Sequence, residues 1–403
     1  MKTTILHLDL DTFFVSCERL LDRRLIDKPV LIGGTGDRGI VSACSYETRK
    51  FGIHSGMAMK MARQLCPEAI CIKGNSYTYA QFSRMVTEII EESVPYFEKT
   101  SIDEFYADLT GMDRFFGNYT FAKTLRSKII RETGLPISIG LSRNKVVSKV
   151  ATGEAKPNNQ MRIDYGNEKS FLAPLEIRKL PMVGKASAGI LRDLGVFNIG
   201  MLQEMPMAMV SSVLGKNGET IWQRAQGIDT RPIVRYCERK SISTERTFNL
   251  DHTDITRLKA TLTAMGEHLA YQLRRENKVT GCISVKLRYS DFTTHSKQKS
   301  IPYTSADHIL VPLLHELFDT LYTRRVLVRM VGINYADLAG GHYQINLFDD
   351  NQKTVNLYQA MDAIRDRFGA DSVIRASTLD AKTIRDGRNP FKDVPVLYAH
   401  RHQ

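Results

Sequence analysis

The 403-residue sequence predicts an α+β protein of several domains. Three observations predict it. Two strand-like segments, residues 4–10 and 100–109, are rich in strand formers yet carry carboxylates. From about residue 166 the apolar spacing becomes purely helical. Between residues 241 and 340, strand patterns are separated by two long helical ones, which suggests a split β-α-β sheet.

Bulk composition narrows the functional classes. Hydrophobic content of 42% with 25% charged residues is that of a globular protein, not a disordered one. The net charge of +12 favours a polyanionic partner, a nucleic acid or an anionic membrane. No run approaches the roughly 18 apolar residues of a membrane span, and no basic amphipathic helix has a bulky apolar face. Asp9 and Asp11 interrupt the first apolar run too early for a signal peptide, so the expected location is cytoplasmic, with no membrane partner. The six cysteines are scattered and form no Cys-x-x-Cys pair; they read as buried, reduced thiols. The ten histidines show no zinc-site spacing, and there is no repeat or low-complexity tract.

In chain order, residues 4–10 read as a strand ending in Asp9-Leu10-Asp11. Asp11 is positioned to cap a helix from Thr12 to about Leu20, because a short acidic side chain accepts from free first-turn amides. A strand over 29–32 precedes Gly34-Thr35-Gly36-Asp37-Arg38-Gly39. That segment matches a dinucleotide-binding glycine pattern, but a strand follows instead of a helix, so it reads as a glycine turn between antiparallel strands. Tyr46 to Gly52 is a short helix ended by glycine, with Tyr46 and Arg49 on one side, an arrangement that suits phosphate. Helices over 58–65 and 77–94 follow.

The segment 100–109 then places Asp103 and Glu104 in mid-strand. Alone, it is an edge strand whose acids face water; beside the first acidic strand, it is half of a shared site. A helix over 121–133, a strand over 136–141, and a helix capped by Ser142 and reaching about Gly153 come next. Between Lys123 and Arg162 there are nine Lys or Arg and two acids, a single-sign block suited to phosphates. The turns at 180–185 and 195–200 each open a helix, and either present amides to a DNA backbone or cap an ordinary small bundle. Residues 231–240 read as a linker, and Leu357 to Phe368 as a short amphipathic helix.

Asp9, Asp103 and Glu104 on adjacent strands would repel one another without a cation. Two Mg²⁺ ions could be held there, helped by the Leu10 carbonyl, an arrangement suited to in-line attack on phosphorus. Tyr46, Arg49 and Lys156 would be the phosphate clamps. A nucleotidyl cyclase also uses paired acidic strands and two metals, but needs neither the helical segment nor the basic C-terminal domain.

The chain resembles a Y-family (DinB/UmuC-type, DNA polymerase IV-like) translesion DNA polymerase. The resemblance rests on Asp9-Leu10-Asp11-Thr12-Phe13-Phe14, Tyr46-Glu47-Thr48-Arg49-Lys50-Phe51-Gly52, Ser101-Ile102-Asp103-Glu104, Gly140-Leu141-Ser142-Arg143-Asn144-Lys145, Ala155-Lys156-Pro157-Asn158, the turn at 180–185 and Lys240-Ser241-Ile242, collinear over roughly residues 1–340. It implies a right-hand polymerase: a ferredoxin-like palm (1–12 and 75–165), small fingers (13–74), a helical thumb (166–231), a linker (232–240), a split β-α-β little finger (241–340) and a tail (341–403). It implies a monomer acting on primer-template DNA and dNTP, with two Mg²⁺ ions, low fidelity and no proofreading. The implied metal ligands are Asp9, Asp103 and Glu104, the implied triphosphate contacts Tyr46, Arg49 and Lys156, and the implied steric gate against a ribose 2′-hydroxyl Phe14. Asp11 is no family ligand and keeps its reading as a helix cap.

The chain departs from the family at Ala43, where many members carry a phosphate-binding Thr, and at Met182, where the thumb turn often has Gly. Gln344-Ile345-Asn346-Leu347-Phe348 resembles the Gln-x-x-Leu-Phe peptide that docks in a sliding clamp. Alone it could be a sticky turn; its place just after the last domain favours the clamp.

Overall fold

The computed structural model describes residues 3–36, 38–112, 117–341, 352–379 and 381. The chain divides into two compact units between Cys237 and Glu238.

The first unit begins with β1 (Ile5–Leu10), whose alternation buries Leu6, Leu8 and Leu10 on one face and sends His7 and Asp9 to the other. Thr12 then takes a left-handed conformation (φ 43°) and α1 (Phe13–Leu21) starts without a side-chain cap. The expected Asp11 cap is therefore corrected: the backbone reversal at Thr12 carries the Asp11 carboxylate away from the helix amides. β2 (Val30–Gly33) and β3 (Val41–Cys44) are antiparallel across the glycine turn. The turn needs glycine at 39, where a Cβ would lie 1.9 Å from the Gly34 carbonyl oxygen. α2 (Tyr46–Arg49), capped by Ser45, and α3 (Met59–Leu65) lead to β4 (Ile70–Ile72), which pairs parallel with β2 and completes a small sheet over its own core.

α4 (Ser76–Ser93), β5 (Phe97–Lys99), β6 (Glu104–Asp108), α5 (Asn118–Thr133), β7 (Ile137–Ser142), α6 (Lys145–Ala155) and β8 (Gln160–Arg162) follow. The five strands order as β5-β6-β1-β7-β8. Val86, Ile89 and Ile90 of α4 and Leu125 and Ile129 of α5 close one face of this sheet. α6 lies on the other, so close that a Cβ on Gly140 would meet the Ser148 carbonyl oxygen at 2.2 Å. Two expectations change here. β6 starts at Glu104 and lies between β5 and β1, so Asp103 sits in the bend before an internal strand, not inside an edge strand. α6 is capped by Asn144, which accepts from the Val147 amide at 3.0 Å, while Ser142 ends β7.

The helical remainder, α7 (Glu168–Leu172), α8 (Lys185–Asp193), α9 (Ile199–Glu204), α10 (Met207–Leu214) and α11 (Asn217–Ala225), packs around Leu180, Leu191, Ile199 and Ile221. Met182 holds φ 79° in the turn before α8, a conformation that glycine adopts without strain.

The second unit contains β9 (Ser241–His252), α12 (Ile255–Arg275), β10 (Lys278–Tyr289), β11 (Thr294–Thr304), α13 (Asp307–Leu321), β12 (Val328–Gly340) and α14 (Gln352–Phe368). Its antiparallel sheet runs β11-β10-β12-β9, with α12 and α13 on one face. β11 was not legible in the sequence because it is an edge strand, polar and largely exposed, without apolar alternation. α14 docks back on this unit through Arg274, which pairs with both Asp362 (2.6 Å) and Asp307 (2.9 Å). All six cysteines are free; Cys17, Cys44 and Cys66 are buried, whereas Cys71, Cys237 and Cys282 are only half-buried.

Candidate active site

Antiparallel pairing of β1 with β6 sets Asp9 opposite Glu104. Paired residues on neighbouring strands share a face, so both carboxylates stand on the α6 side. The Leu10 amide donates to the Asp103 carbonyl at 3.0 Å, which brings the bend holding Asp103 against the end of β1. The three predicted acids and the Leu10 backbone thus meet at one end of the sheet.

α6 serves this face residue by residue. Positions 145, 149, 152 and 156 share one side of a helical path. Lys145 Nζ meets Glu98 Oε2 at 2.5 Å, Lys149 pairs with Glu104 Oε1, Thr152 Oγ1 lies 2.8 Å from His7 Nδ1, and Lys156 Nζ meets Asp9 Oδ1 at 2.5 Å. His7 Nε2 reaches Glu104 Oε1 at 2.5 Å. Asp103 Oδ1 accepts from Ser101 Oγ at 2.6 Å.

Asp11 organises the loops around this end. Its Oδ2 accepts from Ser138 Oγ (2.8 Å) and the Asn158 amide (2.6 Å), and its Oδ1 from Tyr46 Oη (3.3 Å). Lys156 Nζ lies 3.7 Å from the same Oδ1. The Arg49 guanidinium lies over the Tyr46 ring, 4.9 Å from its centroid. Tyr46 and Lys156, from two elements far apart in sequence, therefore meet at Asp11, with Arg49 over the Tyr46 ring and Lys156 also on Asp9. Phe14 stacks on Tyr79 (centroids 4.4 Å apart, 15° between planes), and Tyr79 Oη donates to Glu18 at 2.5 Å.

The electrostatics follow from burial and these pairings. Burial raises the Asp9 carboxyl above its usual range, with Lys156 and His7 pulling against it and Asp103 adding to it. Burial also raises Asp103, and the neighbouring Glu104 raises it further, against the Ser101 hydrogen bond. Burial would raise Glu104 as well, but the His7 hydrogen bond and the charges of His7 and Lys149 hold it well below the carboxylate range. Burial, then Asp11, lifts the Tyr46 phenol far above its usual value.

The donor set fits a hard divalent cation: oxygen only, on adjoining strand ends, with two carboxyls whose ionisation burial opposes and a cation would favour. Among the described residues no three His, Cys, Asp or Glu side chains are already drawn together as ligands. Each acid rests on a protein partner, so the ligands fit in kind and must turn to share an ion.

His7, Lys149 and Thr152 escaped the sequence reading. A signal existed: His7 and Asp9 are two apart on one strand, and Lys145, Lys149 and Lys156 repeat at helical spacing. Gln344, Leu347 and Phe348 lie outside the described residues.

Comparisons with known proteins bear on the same segments. Two family profiles match, that of the impB/mucB/samB family over residues 8–153 and that of the impB/mucB/samB family C-terminal domain over 239–347. A protein of Dehalococcoides mccartyi named DNA polymerase IV is 37% identical over 382 residues, covering 94% of this chain and 98% of that protein. A DNA polymerase IV of Desulfatibacillum aliphaticivorans is 33% identical over 380 residues, covering 92% and 96%. Among solved structures, a Y-family DNA polymerase chimera, Dbh-Dpo4(243-245)-Dbh, superposes with a TM-score of 0.75 at 23% identity, over 84% of this chain and all (100%) of its own.

Proposed function

Because the chain belongs to the impB/mucB/samB family of Y-family DNA polymerases, we propose that its sheet-end site performs nucleotidyl transfer from dNTP to a primer 3′-hydroxyl with two Mg²⁺ ions. The chain is a DNA-directed DNA polymerase of the translesion type, with primer-template DNA and dNTP as substrates. We assign the palm to 1–12 and 75–165, the fingers to 13–74, the thumb to 166–231, the linker to 232–240 and the little finger to 241–340.

Asp9, Asp103, Glu104 and the Leu10 carbonyl hold the ions. When bound, these lower the pKa of the attacking hydroxyl and offset charge on the triphosphate. Lys156 leaves Asp9 for the triphosphate, where it acts as a point charge, while Arg49 binds bidentately and Tyr46 donates its hydroxyl. Phe14, braced by Tyr79, closes the space a 2′-hydroxyl would need. Synthesis is of low fidelity and without proofreading, with small fingers and a roomy site that let a damaged base through. The enzyme works as a monomer in the cytoplasm without a membrane partner; among the described residues no helix is long and apolar enough to cross one. Gln344, Leu347 and Phe348 dock in the sliding clamp.

The observation that carries this reading is Lys156 Nζ at 2.5 Å from Asp9 Oδ1, beside Tyr46 and Arg49: a phosphate-type cation parked on a metal-type acid. Asp103→Ala should lower primer extension at least ~10³-fold, as expected when transition-state charge loses its stabilisation, with primer-template affinity retained. Extension at the normal rate would reject the site. Phe14→Ala should admit ribonucleotides, and unchanged sugar selection would move the gate elsewhere. Replacing Leu347 and Phe348 together by Ala should abolish stimulation by the clamp while basal synthesis persists; equal stimulation would reject the docking peptide.

A further inference from the structure

The contacts of His7 point beyond that assignment, although they rest on it. The imidazole is 1% exposed and held on three sides. Its Nε2 meets Glu104 Oε1 at 2.5 Å, its Nδ1 lies 2.8 Å from Thr152 Oγ1, and its ring packs against Tyr106 with centroids 4.5 Å apart. Thr152 is itself fixed, 2.9 Å from the Ser148 carbonyl. A ring gripped in this way has one orientation. Lys149 comes to the same carboxylate oxygen, Oε1. Among the described residues both of these partners take Oε1, and neither takes Oε2.

We propose that His7, set by Thr152, is a positioning residue that fixes Glu104 through Oε1 and so presets Oε2 as the one oxygen Glu104 offers to a divalent cation. A free carboxylate must lose its rotation when it ligates; one already pinned by a buried donor has lost it beforehand. Partners of ligating carboxylates act in this way, and their loss typically weakens metal binding ~10–100-fold.

The test measures Mn²⁺ affinity by electron paramagnetic resonance, with the full chain on a dideoxy-terminated primer-template and the matching dNTP. His7→Phe keeps the ring and removes the donor; it should weaken Mn²⁺ about tenfold. His7→Gln, whose amide can donate to the same oxygen, should recover most of that loss. Thr152→Val, nearly isosteric, should weaken Mn²⁺ by a smaller factor and serves if His7→Phe does not fold. In a Glu104→Ala background none of these changes should matter further. Unchanged affinity in folded His7→Phe, or in Thr152→Val, overturns the proposal. So does an equal loss in the Glu104→Ala background, because the effect then bypasses Glu104. If Glu104→Ala alone leaves Mn²⁺ binding intact, the metal-site assignment fails, and the inference fails with it.

Discussion

The main sheets of the two units are closed on one face by a pair of helices each, α4 with α5 and α12 with α13. Their second faces differ. In the first unit that face is roofed by α6, and its charges are settled in specific close contacts: Glu98 with Lys145, Glu104 with Lys149 and His7, Asp9 with Lys156. In the second unit the strand pairing lines up Ser243, Ser284, Ser296, Gln298 and Asn334 with Lys286 and Arg288. Lys286 meets Glu245 at 2.8 Å with both side chains more than a third exposed. A roofed face can tune individual carboxylates because little water screens them. An open face of hydroxyls, amides and cations is suited to many weak, additive phosphate contacts.

Breaking one ion pair on each face tests that contrast most strongly. Lys145→Met strands the Glu98 carboxylate, which is 5% exposed and also accepts from the Val234 amide at 2.7 Å. The expected loss is ~3–5 kcal/mol of stability, the range for an uncompensated buried charge, read by denaturant unfolding. Lys286→Met should cost under ~1 kcal/mol, since the pair is exposed. It should instead weaken DNA binding and reduce the salt slope by about one. Equal destabilisation by the two changes would erase the distinction between the faces.

A glycine on each face gives a finer test. Gly140→Ala drives a methyl into backbone, 2.2 Å from the Ser148 carbonyl oxygen, and α6 must move. About 3 kcal/mol should be lost, the upper end for overpacking, with a clear fall in melting temperature. Gly332→Ala meets first the Glu245 Cγ at 2.9 Å, the stem of a side chain that can swing into solvent. The cost should stay below ~1 kcal/mol. If Gly140→Ala were tolerated, α6 would not be held where the Asp9 and Glu104 partners need it.

Much of this was legible in residue order. Alternation in Ile5–Leu10 separated the core face from the acid face, and glycine and proline punctuation bounded the helices. Collinear motifs identified the family and, with it, the α+β architecture. The misreadings share a cause. Asp11 looks like a cap by its neighbours, and only the left-handed Thr12 turns it elsewhere. Ser142 and Asn144 are both capping residue types, and β7 runs one residue further than its apolar pattern. β11 carries no apolar alternation because an edge strand need bury little.

The sequence by itself determined which chemical groups are present, which face of each element carries them, and which family the chain joins. Tertiary structure alone decided their partners. The Lys149–Glu104 contact spans 45 positions, and Lys156–Asp9 and Asn158–Asp11 each span 147. Local periodicity sees about one helical turn or one strand. Which ammonium meets which carboxylate depends on how α6 lies across β1 and β6, and that is set by the close approach at Gly140 and by the packing beneath it.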